Sequence, residues 1–424
     1  MIDNLQDIKY AKKLDSNDSL SDFRDQFFYP KFKSDQSYIY FSGNSLGLQP
    51  KTTKKFVNRE LDDWKNLGVD GHINSTNPWF SYHELLTPLS AEIVGALDKE
   101  VVVMNSLTVN IHLLMISFYR PKGKRKKILI EENAFPSDKY VVQSQIKYHG
   151  NDPINDLILI KPDRNNFISC NTISEYLEKY GEEIALVMLG GVNYYTGQAL
   201  DMKFITDKAQ DYGCVVGFDL AHAAGNLQLN LHEWGIDFAS WCGYKYLNGG
   251  PGAPSGIFIH ERHLNKNNYP RLEGWWGHEK DTRFKMLDNF IPIQTAEAWQ
   301  LSNPPILSMA ALFSSLEIFH SAGIKNLRRK SEKLTMYLES LIKYSLNDKI
   351  EIITPSLKEY RGCQLSLKLL HPFHDIVKHL KSQGIICDWR EPDVIRIAPV
   401  PLYNSFEDCF NFVKRLKNII SEYN

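Results

Sequence analysis

The sequence predicts an α/β protein, built on a mostly parallel sheet covered by helices on both faces and followed by a smaller α+β unit. Two observations carry this. Between about residue 100 and residue 260, short runs that are apolar throughout alternate with amphipathic stretches, as expected of strands buried on both faces and joined by helices. After Pro304 and Pro305 the pattern changes to long helical repeats and then to alternating strands.

Taken in chain order, residues 1–44 lack the sheet pattern and are expected to pack with the small unit. Residues 45–304 form the large unit. Its strands are predicted at 127–131, 157–160, 184–189, 214–219, 238–241 and 256–260, with helices over 138–148, 172–180 and 201–212. Residues 305–424 form the small unit, with helices predicted over 306–321, 324–344 and 405–421, and strands at 351–354, 361–368 and 394–399.

The 424 residues are 43% hydrophobic and 23% charged, ordinary globular usage that excludes a disordered, collagen-like or coiled-coil chain. Forty-nine Lys and Arg against fifty Asp and Glu leave a net charge of -1, so no global field recruits nucleic acid or an anionic membrane. Any charged ligand must be recognised locally. The N-terminal stretch lacks the apolar run of about 7–15 residues that a secretory signal needs, and no run of about 18 apolar residues predicts a membrane span.

Cys170, Cys214, Cys242, Cys363, Cys387 and Cys409 form no CxxC pair and most sit in apolar segments, which reads as reduced cysteine in a cytoplasmic protein. His371 and His374 in HPFH have ligand-like spacing without a second ligand pair, so no metal is expected. The basic run Arg120, Lys122, Lys124, Arg125, Lys126 and Lys127 reads as a solvated turn. Gly250, Gly252 and Gly256 do not follow a strand in GxGxxG spacing, and no GxxxxGK[ST] occurs, which argues against a nicotinamide or P-loop enzyme.

A different set of residues converges. The run CVVGFD ends in Asp219, at the carboxyl end of a strand where open α/β sheets bind ligands, with His222 just beyond. Alone, Asp219 reads equally well as a helix N-cap. Lys245 lies between Tyr244 and Tyr246 after the strand at 238–241. There it is either a partly desolvated amine suited to a Schiff base or a snorkelling side chain. Asn105 or Ser106 opens an apolar helix whose first N–H groups, on Leu107 and Thr108, would suit a phosphate. Phe135 stands at another strand end, as a ring to stack on a heterocycle or as core. Together these are the parts that hold pyridoxal phosphate.

At this point the chain resembles the fold type I pyridoxal-phosphate enzymes, and the kynureninase family in particular. The resemblance rests on YFSGNSLGLQP (40–50), NSLTVNIHLLM (105–115), AFPSD (134–138), YYTGQ (194–198), FDLAHAAGN (218–226), WCGYKYLNGGPG (241–252), GWWGH (274–278), SNPPIL (302–307), RGCQLS (361–366) and IRIAPVPLYNSF (395–406), all in one order. It implies hydrolytic Cβ–Cγ cleavage of L-kynurenine or its 3-hydroxy derivative, in tryptophan breakdown or NAD synthesis. It also implies a homodimer with active sites at the subunit interface.

On these positions the resemblance implies that Lys245 carries the cofactor, that Asp219 holds its ring nitrogen beside His222, and that Phe135 stacks on its ring. Leu107, Thr108, Pro136, Ser137, Asp138, Tyr244, Trp275 and Asn303 would surround cofactor and phosphate, Trp275 and Asn303 from the neighbouring subunit. Lys245, Tyr244 and Asp219 would be catalytic. Arg396 would clamp the substrate carboxylate, with Asn44, His72, Ser302 and Asn303 also in the substrate site. His72, Ser302 and Asn303 resemble the branch that favours 3-hydroxykynurenine.

Two positions depart from the family pattern: Gly190 stands where Ser or Thr is common and Gly243 where Ser often precedes the Tyr-Lys pair, which predicts fewer phosphate hydrogen bonds. Two rival readings are weaker. A cysteine desulfurase would need an exposed late cysteine, and Cys363 sits in a strand-like run. A pyridoxal-phosphate transcription regulator would need a basic DNA-binding domain, for which there is no sequence signal.

Overall fold

The computed structural model describes residues 7–264, 269–371 and 375–422. A seven-stranded sheet runs in the order Val101–Met104, Ser255–Ile259, Phe238–Trp241, Val215–Asp219, Ile184–Gly190, Lys127–Glu131, Leu157–Ile160. Ser255–Ile259 is antiparallel to both its neighbours, and the remaining pairings are parallel. The strands that read as continuously apolar do so because both faces are covered. In Lys127–Glu131, Leu129 enters one core while Ile128 and Ile130 enter another, and Val187 and Leu189 alternate with Leu186 and Met188 in the same way.

The second unit carries a four-stranded antiparallel sheet in the order Ile350–Ile352, Leu365–Leu369, Val394–Ile397, Asp388–Arg390. It packs under helices Ile324–Leu346 and Phe406–Glu422 in a third core, which Ala11, Ile39 and Phe41 share. The N-terminal segment is tied there by polar contacts as well. Both Asp15 carboxylate oxygens accept from the first N–H groups of the last helix, Phe406 at 2.8 Å and Glu407 at 2.9 Å, so a residue almost 400 positions away caps that helix.

The structure redraws one boundary. Helix Ile306–Ala322, assigned by the sequence to the 305–424 unit, lies against Thr53–Leu67 and Tyr82–Val94, and its Met309, Leu312, Leu316 and Phe319 belong to the large core. The double proline marks only the start of that helix. The chain turns by 80° at Gly323, whose φ of +73° is open to glycine, before Ile324–Leu346 enters the small unit. The strand predicted at 361–368 starts at Leu365, because Arg361–Gln364 serves side-chain contacts instead of a ladder. No single helix among the described residues is long and apolar enough to cross a membrane.

Candidate active site

The parallel strands Lys127–Glu131, Ile184–Gly190 and Val215–Asp219 end side by side, and their last residues, Glu131, Gly190 and Asp219, line one cavity of about 390 Å³. This is the crevice at strand carboxyl ends that open α/β sheets provide. Asp219 is buried and accepts from the Ala221 N–H at 2.7 Å. Burial raises its pKa, while Lys245, the Ala221 amide and a hydrogen bond with Asp138 oppose the rise. Asp138, in the first turn of helix Pro136–Tyr148, is raised further by burial and by the Asp219 charge. Each carboxylate thus favours the protonated form of the other.

Lys245, half-buried after strand Phe238–Trp241, places its Nζ 3.1 Å from His222 Nε2 and 5.9 Å from the centre of the Phe135 ring. His222 is buried, and burial together with Lys245 holds its pKa well below the ordinary histidine range, so the imidazole is neutral and accepts from the amine. Tyr244 is pushed up by burial, then by Cys242, and keeps its phenolic proton. Ser106, Leu107 and Thr108 at the N-terminus of helix Leu107–Phe118 also line the cavity, and Thr108 Oγ1 lies 2.8 Å from Ser137 Oγ. Helix N–H groups and hydroxyls there suit an anion.

Of the residues singled out in the sequence, Asn44, Leu107, Thr108, Phe135, Ser137, Asp138, Asp219, His222, Tyr244, Lys245 and Arg396 line this cavity. Pro136 does not; it is the first residue of its helix, where a missing N–H costs nothing. His72, Trp275, Ser302 and Asn303 also lie outside it. His72 stacks on Phe80 at 4.8 Å and its Nδ1 is buried without a partner, Trp275 donates to the Arg283 carbonyl at 3.0 Å, and Ser302 and Asn303 are exposed. His374 falls outside the described residues.

The sequence reading missed Glu131. It closes the run KILIE as Asp219 closes CVVGFD, so the strand-end argument selects it equally. Burial pushes its carboxyl up to about 7, against the Gly190 N–H that donates to it at 3.2 Å. Arg390 and Asp388 were missed because nothing in the run DWR announces a site. Among the described residues, two His and carboxylate clusters lie elsewhere and are internally paired: His232 Nδ1 is 3.0 Å from Glu100, and Lys280 bridges Glu84 and Glu297, beside His83, at 2.8 and 2.9 Å.

The cavity fits pyridoxal phosphate. It has a helix end suited to an anion, an aromatic wall, an amine, and two neighbouring buried carboxyls suited to a protonated ring nitrogen. Solved structures with this fold include the cysteine desulfurase CsdA of Escherichia coli, with a TM-score of 0.77 at 17% identity over 95% of this chain and 99% of that one. A C-DES variant with glycine covalently linked to the PLP cofactor aligns with a TM-score of 0.76 at 18% identity, over 93% and 99%. Fold and site thus define a fold type I pyridoxal-phosphate enzyme.

The sequence comparisons carry the assignment further. Kynureninases of Koribacter versatilis and Myxococcus xanthus are each 52% identical to this chain, over 407 and 409 residues and 96% of both partners. That of Flavobacterium psychrophilum is 49% identical over 419 residues, 98% of each chain, and the family model of the kynureninase C-terminal domain matches residues 327–416. The chain belongs to the kynureninase family, pyridoxal-phosphate enzymes that hydrolyse a carbon–carbon bond of kynurenine. Cys363, considered above as a desulfurase nucleophile, is fully buried with its thiol pushed up to about 12 by burial, so it is inert.

Proposed function

We propose that the cavity above is where this enzyme cleaves kynurenine, and that its residues divide the work as follows. When bound, pyridoxal phosphate supplies an electron sink for charge that develops on the substrate. Leu107, Thr108 and Ser137 would hold its phosphate, Phe135 would cover its ring, and Asp219, backed by Asp138, would keep its nitrogen protonated. Lys245 is the amine that carries it.

Lys245 also moves protons. Lying against neutral His222, its Nζ can take the proton from the substrate Cα and later give it back without a second charge arising beside it. Arg396 holds the α-carboxylate through charge-assisted hydrogen bonds. Tyr244 keeps its hydroxyl proton and can donate to the γ-carbonyl as water adds there. Kynurenine and water thereby give alanine and an anthranilate.

The observation that carries this reading is that Lys245, Asp219 and Arg396, which come from two different units of the chain, line one cavity. Its test is release of alanine and anthranilate by the purified protein, with loss of release in Lys245→Ala.

The reading extends to a homodimer and to the preferred substrate. His72, Trp275, Ser302 and Asn303 stand outside their own cavity, and exposed apolar groups such as Phe28, Leu46 and Leu307 border a cleft of about 740 Å³ next to Lys245's loop. A second copy seated there would cover them and bring the outlying residues toward its partner's site. His72, with Ser302 and Asn303, would then offer polar partners to a phenolic hydroxyl, which favours 3-hydroxykynurenine. Six free cysteines accord with a cytoplasmic setting.

A further inference from the structure

Arg396 is almost completely buried, and its guanidinium is partly engaged before any substrate arrives. Asp388 is its cross-strand partner in the antiparallel pairing of Asp388–Arg390 with Val394–Ile397. The Asp388 carboxylate accepts from Arg396 Nε at 3.1 Å and from Nη2 at 2.5 Å, the two-pronged grip on the side edge of the guanidinium. The Tyr194 carbonyl accepts from Nη1 at 2.7 Å. Of the five N–H donors these take three, which leaves one on each terminal nitrogen. Arg390 reaches the same Asp388 Oδ2 at 3.2 Å and also lines the cavity. Two guanidiniums thus share one carboxylate, and the set is one negative charge short.

We infer that Asp388 is a positioning residue: it grips the side edge of Arg396 so that the remaining donors of Nη1 and Nη2 meet the substrate carboxylate, which supplies the missing charge. This rests on the reading of Arg396 as the carboxylate clamp. The opposite role for Asp388 is that of an internal competitor, occupying Arg396 until substrate displaces it. The two roles differ in sign, since removing a competitor tightens substrate binding and removing a positioning group weakens it.

The test uses the cofactor-loaded enzyme with Asp388→Asn, Arg396→Gln and the double variant. It compares kynurenine with the decarboxylated substrate amine by steady-state kinetics and by titration of the cofactor absorbance. Asp388→Asn is expected to raise KM for kynurenine about tenfold with a smaller change in kcat, the scale of one charge-assisted contact. Affinity for the decarboxylated amine should stay the same, and Asp388→Asn should add nothing in the Arg396→Gln background. Asp388→Glu should recover part of the loss, and cofactor content separates misfolding from misplacement. A lowered KM in Asp388→Asn, or equal losses for both amines, would overturn the positioning role. If Arg396→Gln itself leaves KM unchanged, the reading of Arg396 fails instead.

Discussion

Lys245 Nζ and His222 Nε2 meet at 3.1 Å in a buried site, and the imidazole is kept neutral by burial and by the amine itself. A neutral acceptor beside a catalytic amine needs only its lone pair. His222→Gln, which keeps an acceptor, should therefore stay within about threefold of the parent kcat/KM. His222→Phe should lose roughly tenfold, about the value of one neutral hydrogen bond. Because His222 does not titrate near neutral pH, parent and Gln variant should have the same pH–rate profile, and a shifted profile would show a charged imidazole.

Glu131 makes the cofactor-free protein sensitive to pH. Its carboxyl titrates at about 7 in the fold against 4.5 in an exposed chain. Between those values the folded state holds a proton that the unfolded state has released, so stability falls as pH rises. The contribution is complete below the unfolded value and is lost as pH passes the folded one, with an upper limit of about 3 kcal/mol. Thermal unfolding followed from about pH 5 to about pH 8 should show a steeper decline in the parent than in Glu131→Gln.

Gly190 and Gly243 have different physical reasons for being glycine. A Cβ on Gly190 would lie 3.0 Å from Glu131 Oε1, the movable end of a side chain, whereas one on Gly243 would lie 2.1 Å from the Pro254 carbonyl oxygen, which is backbone. Gly190→Ser should fold with at most about 1 kcal/mol lost, and Gly243→Ser should lose about 1–3 kcal/mol or more. Denaturant midpoints of the two variants check the contrast.

Substrate choice is tested at the outlying residues. The parent should prefer 3-hydroxykynurenine in kcat/KM, because a site that hydrogen-bonds a hydroxyl rejects the analogue without it. His72→Trp combined with Ser302→Gly and Asn303→Thr should move the ratio toward kynurenine and leave the cofactor absorbance in place. Equal efficiencies in the parent would reject the preference.

Much of the large unit was legible because strands buried on both faces leave uninterrupted apolar runs, so 127–131, 157–160 and 238–241 were placed to the residue. Asp219 was legible for the same reason, as a charge closing an apolar run, and Glu131 closes another in the same way. Helix Ile306–Ala322 was misplaced because it is apolar nearly all round, and such a helix carries no sign of which core it enters. The grip of Asp388 on Arg396 was illegible, since it depends on the register of two short strands that the chain alone does not specify.

Whether Lys245 holds the cofactor facing Asp219 can be measured directly. Borohydride reduction of the yellow holoenzyme, followed by proteolysis and mass spectrometry, fixes the cofactor to whichever lysine carries it. A single pyridoxyl-modified peptide containing Tyr244, Lys245 and Tyr246 is expected, absent from Lys245→Ala. A pyridoxyl group on any other lysine, or an unchanged label in Lys245→Ala, would contradict it.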